Sequence, residues 1–104
     1  MYVKIYEYHI KEEKIEDYLS IQEKASKIYK KHIESKTTYL QSNEDPTKWM
    51  EITTYNSEED YLKNIAIINK NVEIQVLFNK FQALLLPGNN LIKEEDFTKI
   101  TGVN

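Results

Sequence analysis

The chain has 104 residues, a formal net charge of −3 and no cysteine, and all fourteen of its basic residues are lysine. This size predicts one domain (residues 1–104), and the composition excludes disulfides, thiol nucleophiles, thiolate metal sites and bidentate arginine contacts. The acidic balance argues against a nucleic-acid partner, and the lack of a long apolar run or signal peptide predicts a cytoplasmic protein without a membrane partner.

A strand is predicted at the start of the chain. Residues 2–10 alternate and are rich in β-forming residue types. Val3 and Ile5 point to one face of this strand. Because both faces carry large side chains, the pattern leaves neither face simply exposed to water. The second face carries Tyr2, Lys4, Tyr6 and Tyr8.

A long amphipathic helix follows. Apolar residues recur at three- and four-residue steps from Lys11 to about Glu34, which is the spacing of one helix face. Acidic residues crowd its start and lysines crowd its end, as the helix dipole favours. The apolar stripe is wider than packing on one sheet requires.

The middle of the chain predicts a hairpin and a second helix. A short strand at residues 37–42 joins a strand at Trp49–Tyr55 through an Asp45-Pro46 turn, and this short connection makes the two strands antiparallel. A helix is predicted from Ser57 to about Ile68, with the side-chain oxygen of Ser57 or Asn56 as its N-terminal cap.

Residues 72–86 fit two patterns. Some of their apolar residues alternate as in a strand, and others step as in a helix. We predict a helix over residues 72–80 that passes into a last strand at Phe81–Leu86. Residues 88–104 are predicted to form a C-terminal tail, in which residues 94–97 open one helical turn.

The predicted element order is strand–helix–strand–strand–helix–strand, which is the ferredoxin-like βαββαβ arrangement of an α+β fold. One antiparallel sheet then carries both helices on one face. We expect the other face to present a contiguous aromatic surface, which is unusual for a monomer. A second copy packing sheet to sheet would bury this surface, so we predict a homodimer. The surface comprises Tyr6, Tyr8, Tyr39, Trp49 and Tyr55.

Residues 40–65 resemble a known family. The run Asn43-Glu-Asp-Pro46, the alternating strand that ends at Tyr55, and the run Ser57-Glu-Glu-Asp-Tyr-Leu are similar to the middle of the antibiotic biosynthesis monooxygenase-like proteins. The resemblance implies a dimeric α+β barrel. Relatives in that group include cofactor-free oxygenases of polycyclic quinol-type substrates and haem-degrading enzymes, so the resemblance is specific for the fold rather than for one activity.

Three features depart from the family pattern, and one is the missing glycine before the second strand, where this chain has Ser35-Lys36-Thr37. The family commonly ends the third strand in tryptophan, whereas this chain has Tyr55 there and its tryptophan at Trp49. The haem-degrading branch places its histidine ligand at the position of Asn64, so a haem-ligating role has no carrier in this chain. Asn64 instead joins the predicted substrate-binding residues, and no cofactor is predicted.

The aromatic set predicts a small-molecule pocket in each half of the barrel. A carboxyl group buried among aromatic rings has a raised pKa, so Glu51 is the candidate general base that deprotonates a phenol or enol, with Tyr55 as the second catalytic residue. A deprotonated substrate of this kind would react with oxygen without a cofactor. The predicted substrate-binding residues are Tyr6, Tyr8, Tyr39, Trp49, Thr53 and Asn64.

A non-catalytic dimer is the alternative. In that case the partner chain fills the aromatic face, Glu51 pairs with Lys4, and no enclosed cavity of ligand size (about 300 Å³ or more) remains. The acidic clusters at residues 12–17, 58–60 and 94–96 each open a predicted helix, where the helix dipole explains them, so no metal site is predicted.

Overall fold

The computed structural model describes residues 1–103. Their regular elements are the strands β1 (Tyr2–His9), β2 (Ser35–Gln41), β3 (Lys48–Tyr55) and β4 (Lys93–Thr98), and the helices α1 (Ile15–Tyr29), α2 (Glu58–Asn69) and α3 (Val72–Ala83). The strands form one antiparallel sheet in the order β2-β3-β1-β4, so the predicted ferredoxin-like α+β arrangement is confirmed. No helix in the described part of the chain is long and apolar enough to cross a membrane.

The first helix is shorter than predicted. The apolar steps predict a helix from Lys11 to about Glu34, whereas α1 begins at Ile15 after a 3-10 turn and ends at Tyr29. Beyond it the chain turns, and the Ile33 amide donates to the Tyr29 carbonyl at 2.9 Å. Ile33 is buried in the core, so it continues the apolar pattern although it lies outside the helix.

The last strand lies elsewhere than predicted. The predicted helix over residues 72–80 is confirmed, but α3 continues through Phe81 to Ala83, so the strand at Phe81–Leu86 is wrong. The strand β4 instead occupies residues 93–98 of the predicted 88–104 tail, where the sequence predicts a helical turn. All the residues of β4 are exposed. Its sequence therefore lacks the alternation of apolar and polar residues that marks a half-buried strand.

Lys4 fastens β4 to the sheet. Its Nζ lies 2.7 Å from Glu94 Oε1 and 2.8 Å from Asp96 Oδ1, and the Tyr2 hydroxyl donates to Asp96 Oδ2 at 2.7 Å. Burial tends to lower the pKa of the Lys4 amine, but its hydrogen bonds to the two carboxylates raise that pKa above its ordinary value. Because Lys4 pairs with β4, the alternative pairing of Lys4 with Glu51 is wrong.

The aromatic face of the sheet packs under the helices, so its predicted position on the uncovered side is wrong. Tyr8 lies edge-on to Phe81 of α3 with ring centroids 4.9 Å apart. Trp49 lies 4.8 Å from Tyr18 of α1 by the same measure. Aromatic side chains bury large areas, so the face that carries them forms the core together with aromatic residues of the helices.

The face of the sheet that lies away from the helices carries apolar side chains among charged and polar ones such as Glu7 and Glu95. Ile5 and Ile52 sit opposite each other on the two central strands, and both remain partly exposed. Leu40 and Phe97, on the two edge strands, are 46% and 43% exposed. We call this the outer sheet face and define it by Val3, Ile5, Leu40, Ile52 and Phe97.

The predicted turn and helix cap are both present. The Lys48 amide donates to the Asp45 carbonyl at 3.0 Å and closes the turn that contains Pro46. Ser57 precedes α2, and its Oγ accepts a hydrogen bond from the Asp60 amide at 3.0 Å. The start of β3 and the start of α2 are therefore fixed by local hydrogen bonds, as the sequence predicts.

Replacing this cap tests its contribution to stability. Ser57→Ala is expected to lower the free energy of unfolding by about 1 kcal/mol, because the Asp60 amide loses its acceptor. Urea unfolding followed by circular dichroism measures this change. The matched control is Ser20→Ala at an exposed position within α1, which should be neutral or slightly stabilising because alanine is the better helix former. Equal losses in the two variants would contradict the capping role.

Candidate functional site

A cavity of about 390 Å³ lies between the aromatic face of the sheet and the helices α1 and α3. Small-molecule pockets typically measure ~300–1,000 Å³, so this cavity has the size of a small-ligand site. The single chain therefore contains a cavity of ligand size, whereas the non-catalytic alternative, in which a dimer leaves no enclosed cavity, stays a prediction. The strand residues on the sheet side of the cavity include Tyr6, Tyr8, Tyr39, Glu51, Thr53 and Tyr55.

Glu51 is the one carboxylate among the described residues that line the cavity. The Tyr8 hydroxyl donates to Glu51 Oε1 at 2.9 Å. Behind Tyr8, away from the cavity, the Tyr18 hydroxyl oxygen lies 2.6 Å from the Tyr8 hydroxyl oxygen. These three side chains form a row of hydrogen bonds that starts in the buried core and ends at the cavity.

Burial determines the protonation of these groups. It raises the pKa of Glu51 above its ordinary value, and the hydrogen bond from Tyr8 offsets part of this effect. Burial also raises the pKa values of Tyr8 and Tyr18, so both hydroxyls keep their protons at neutral pH. On the opposite wall burial raises the pKa of Tyr29 to about 12. The cavity therefore combines neutral phenols with one carboxyl group whose raised pKa suits a general base.

Polar groups farther along the cavity wall pair with each other. Thr37 Oγ1 and Thr53 Oγ1 lie 2.8 Å apart across β2 and β3. The Tyr39 hydroxyl donates to Gln22 Oε1 at 3.2 Å, which ties β2 to α1. Within residues 1–103 no three histidine, aspartate or glutamate side chains come together as a metal site. Glu51 is thus the group in this wall that is suited to proton transfer.

Solved structures share this architecture, whereas no protein-family model and no curated protein sequence matches the chain. SnoaB, a cofactor-independent oxygenase from Streptomyces nogalater, gives a TM-score of 0.75 over 98% of this chain and 95% of its own, at 8% identity. An antibiotic biosynthesis monooxygenase gives a TM-score of 0.71 over 97% of this chain and 100% of its own, at 13% sequence identity. An uncharacterized NIPSNAP domain protein from Burkholderia xenovorans gives a TM-score of 0.77 over 100% of this chain and 99% of its own, at 10% sequence identity.

This chain has the fold of the antibiotic biosynthesis monooxygenases. The resemblance carried by residues 40–65 is thereby confirmed for the fold. The NIPSNAP domain protein shares the same architecture, so the monooxygenase fold alone does not specify a reaction. The chemistry has to be argued from the cavity.

Two predicted site residues lie outside the cavity of this monooxygenase fold. Trp49 is buried against Tyr18, and its indole N–H has no hydrogen-bond partner among residues 1–103. Asn64 donates to the Asp60 carbonyl at 2.8 Å within α2. The structure does not bring either of them to the cavity wall, whereas it brings the other six predicted residues together there.

The helices supply residues that sequence reasoning missed. Tyr29 of α1 and Tyr61 of α2 line the cavity, and Phe78 and Phe81 of α3 close its helix side. Tyr18 stands one layer behind them. The available signal was that Tyr18 and Tyr29 place hydroxyl groups on the apolar stripe of α1, where aliphatic residues would pack equally well.

Proposed function

We propose that this protein is an oxidoreductase that binds an aromatic, quinol-type molecule in the cavity and oxygenates it with O2 without a cofactor. The observation that carries the proposal is Glu51, a carboxyl group of raised pKa that lines a cavity otherwise walled largely by aromatic rings. SnoaB, which has the same fold, is described as a cofactor-independent oxygenase and supports the assignment.

The reaction is written for anthrone, a simple quinol-type probe. Glu51 removes a proton from the carbon that lies opposite the carbonyl group, and the resulting carbanion transfers electrons to O2 as a C–O bond forms. The peroxide takes back the proton from Glu51, and elimination of water then leaves a second carbonyl group. One atom of O2 ends in the quinone and the other in water, so the step needs no further reductant.

Tyr55 has the complementary role in the proposal. Burial raises the pKa of its hydroxyl, so the group stays protonated at neutral pH. It lines the same cavity as Glu51 and is suited to donate a hydrogen bond to the substrate oxygen that becomes negatively charged. Such a donor stabilises charge more strongly inside an apolar cavity than in water.

Filling the cavity tests the binding step. Ala25 lines the cavity on α1, and Ala25→Phe adds a ring to the space that the ligand would occupy. We expect the affinity for anthraquinone, the stable product of the anthrone reaction, to fall at least about tenfold, a loss of ~1.4 kcal/mol. Quenching of the Trp49 and tyrosine fluorescence during titration measures the affinity, and oxygen uptake with anthrone measures turnover.

The matched control places the same ring outside the cavity. Ala66 is exposed on α2, so Ala66→Phe should leave anthraquinone binding and oxygen uptake at the wild-type level. Circular dichroism verifies that both variants are folded. Unchanged binding in folded Ala25→Phe, or no oxygen uptake above the spontaneous oxidation of anthrone in the wild type, would contradict the proposed function.

The proposed active assembly is a homodimer in which two copies pack through the outer sheet face. This placement replaces the one predicted from sequence, because the aromatic face is already covered by the protein's own helices. Ile5 and Ile52 form the centre of the outer sheet face, on the two inner strands. Both cavities then lie outside the paired sheets, and each is bounded by one chain's sheet and helices.

The exposed area of the chain supports this assembly. The molecule is a slab of 37 × 36 × 21 Å and exposes 7207 Å². A monomeric protein of 12.4 kDa is expected to expose only about 6,100 Å². The excess is comparable to the ~800 Å² that each partner contributes to a standard interface.

A further inference from the structure

Tyr18 has an unusual environment for a tyrosine. The side chain is 0% exposed and is enclosed by the rings of Trp49 and Phe81, whose centroids lie 4.8 Å and 6.3 Å away. It does not line the cavity and therefore does not contact a ligand there. Its hydroxyl group reaches the Tyr8 hydroxyl at 2.6 Å, which is a short hydrogen bond.

The proton positions in this row follow from its chemistry. An ionised carboxylate only accepts hydrogen bonds, so the Tyr8 hydroxyl donates its single proton to Glu51. The Tyr8 oxygen is then free to accept, and the proton between the two tyrosines belongs to Tyr18. A hydroxyl that accepts a hydrogen bond becomes a stronger donor. Tyr18 therefore strengthens the bond from Tyr8 to Glu51 without touching Glu51.

We propose that Tyr18 is a positioning residue, whose hydroxyl group holds the Tyr8 hydroxyl in the orientation that donates to the charged form of Glu51. The catalytic meaning of this role rests on the proposed function, in which Glu51 is the base. The effect on Glu51 itself does not depend on any substrate and can be measured without one.

The cost of burying these groups supports a role beyond packing. Phenylalanine at both positions would fill the same space without desolvating two hydroxyl groups, and buried hydroxyls stabilise a core little even when paired. A buried carboxyl group such as Glu51 is destabilising in its charged form. Packing does not account for the two hydroxyl groups, whereas keeping the Glu51 carboxylate available at the cavity wall does.

Other titratable groups surround Glu51, and Tyr6 and Tyr39 lie directly opposite it on the neighbouring strands. Tyr8 is the group hydrogen-bonded to Glu51 within residues 1–103. Helix α3 contributes only apolar side chains to this part of the described cavity. The titratable groups that line the cavity with Glu51 are Tyr6 and Tyr8 of β1, Tyr29 of α1, Lys30 just after α1, Lys36 and Tyr39 of β2, Tyr55 of β3, and Tyr61 of α2.

The test is a double-mutant cycle read at Glu51 by NMR. Protein labelled with 13C at the glutamate carboxyl carbon is titrated with acid and base, and the Glu51 signal is identified by its absence from Glu51→Gln. We expect Tyr18→Phe to move the Glu51 titration to higher pH, because the charged form loses support. In a Tyr8→Phe background the same Tyr18→Phe change should have no further effect, because the path to Glu51 is already broken.

The matched control is Tyr2→Phe. It removes a buried tyrosine hydroxyl that is hydrogen-bonded to Asp96 and does not belong to the row of Tyr18, Tyr8 and Glu51. It should leave the Glu51 titration unchanged. The proposal is overturned if Tyr18→Phe moves the titration no more than Tyr2→Phe does, or if the Tyr18→Phe effect persists without the Tyr8 hydroxyl.

Turnover separates this proposal from the proposed function. With anthrone, Tyr18→Phe should lower kcat about three- to tenfold at pH values below the Glu51 titration and hardly at all above it, with KM unchanged. A pH-independent loss would indicate a merely structural role and would overturn the proposal. If the NMR cycle gives the expected result but neither the wild type nor any variant oxidises anthrone, the positioning role of Tyr18 stands and the oxygenase assignment is wrong.

Discussion

Glu51→Gln is expected to abolish oxygen uptake with anthrone, lowering kcat by about 100-fold or more, because a positioned general base contributes roughly 10²–10⁴-fold to such a step. Glutamine is close to isosteric with the neutral carboxyl group, and its amide oxygen still accepts the Tyr8 hydrogen bond. The cavity and its affinity for anthraquinone should therefore be preserved. Loss of kcat with unchanged product binding separates a chemical role from a structural one.

The wild-type rate should depend on pH through the same group. Since the base must be ionised, kcat rises as pH increases through the raised pKa of Glu51 and then levels off. Oxygen-electrode measurements at a series of pH values across this range, corrected for the spontaneous oxidation of anthrone, give the dependence of kcat on pH. A rate that does not vary with pH, or a Glu51→Gln variant of near wild-type activity, would exclude Glu51 as the base.

The same substitution should also change how stability depends on pH. The pKa of Glu51 in the folded protein is raised above its ordinary value of 4.5, so between these two values the folded protein keeps a proton that the unfolded chain has released. Wild-type stability therefore falls as pH rises through this window. Glu51→Gln does not undergo this loss. Its free energy of unfolding should exceed that of the wild type by about 1.4 kcal/mol for each tenfold difference between the proton affinities of Glu51 in the folded and unfolded chains.

A control variant separates this effect from a general effect of charge. Glu44 is exposed in the β2–β3 turn, so Glu44→Gln should leave the pH dependence of the unfolding free energy at its wild-type form. Urea unfolding at a series of pH values compares the three proteins. A wild-type stability that increases with pH relative to Glu51→Gln would contradict the raised pKa of Glu51.

Local chemistry made part of the fold predictable. The turn at Asp45-Pro46, the cap at Ser57 and the strand at Trp49–Tyr55 each depend on neighbouring residues, and each forms at or within one residue of its predicted place. The edge strand β4 depends instead on pairing with β1 and on ion pairs to Lys4, ninety or more positions away. Such long-range contacts leave no periodic signal in the strand itself, so its exposed, charged sequence is typical of a tail or a helix start.

The assignment of the two sheet faces shows a second limit. Alternation in β1 separates Val3 and Ile5 from Tyr2, Tyr6 and Tyr8 correctly, but it does not say which set meets the helices. That choice depends on shape and hydrogen bonding between the sheet and α1. The structure resolves it by placing the Tyr8 hydroxyl against Tyr18, a match that no sequence spacing encodes.

The candidate site was predictable where a single strand carries it. Glu51, Thr53 and Tyr55 share one face of β3, so their convergence follows from the two-residue period of a strand. The residues contributed by α1 and α3 depend on how the helices cross the sheet. They were therefore missed, although they form much of the cavity wall.

Replacing Ile52 with aspartate is expected to convert a dimer into a monomer. Ile52 lies opposite Ile5 at the centre of the outer sheet face, so a dimer formed there would bury the new carboxylate of Ile52→Asp without a partner in both copies. An unpaired buried charge costs several kcal/mol, and each 1.4 kcal/mol weakens association about tenfold. The dissociation constant should therefore rise at least about 100-fold, which sedimentation equilibrium over a range of protein concentrations measures directly.

The matched control introduces the same charge on a different surface. Ile67 is 54% exposed on α2, away from the sheet, so Ile67→Asp should sediment as the wild type does. If the wild type sediments as single chains in dilute solution, no homodimer exists and the excess exposed area needs another explanation. If both variants remain dimeric, the two copies meet through a surface other than the outer sheet face. Because each cavity is bounded by one chain, folded monomeric Ile52→Asp should still bind anthraquinone, which separates the assembly from the chemistry of Glu51.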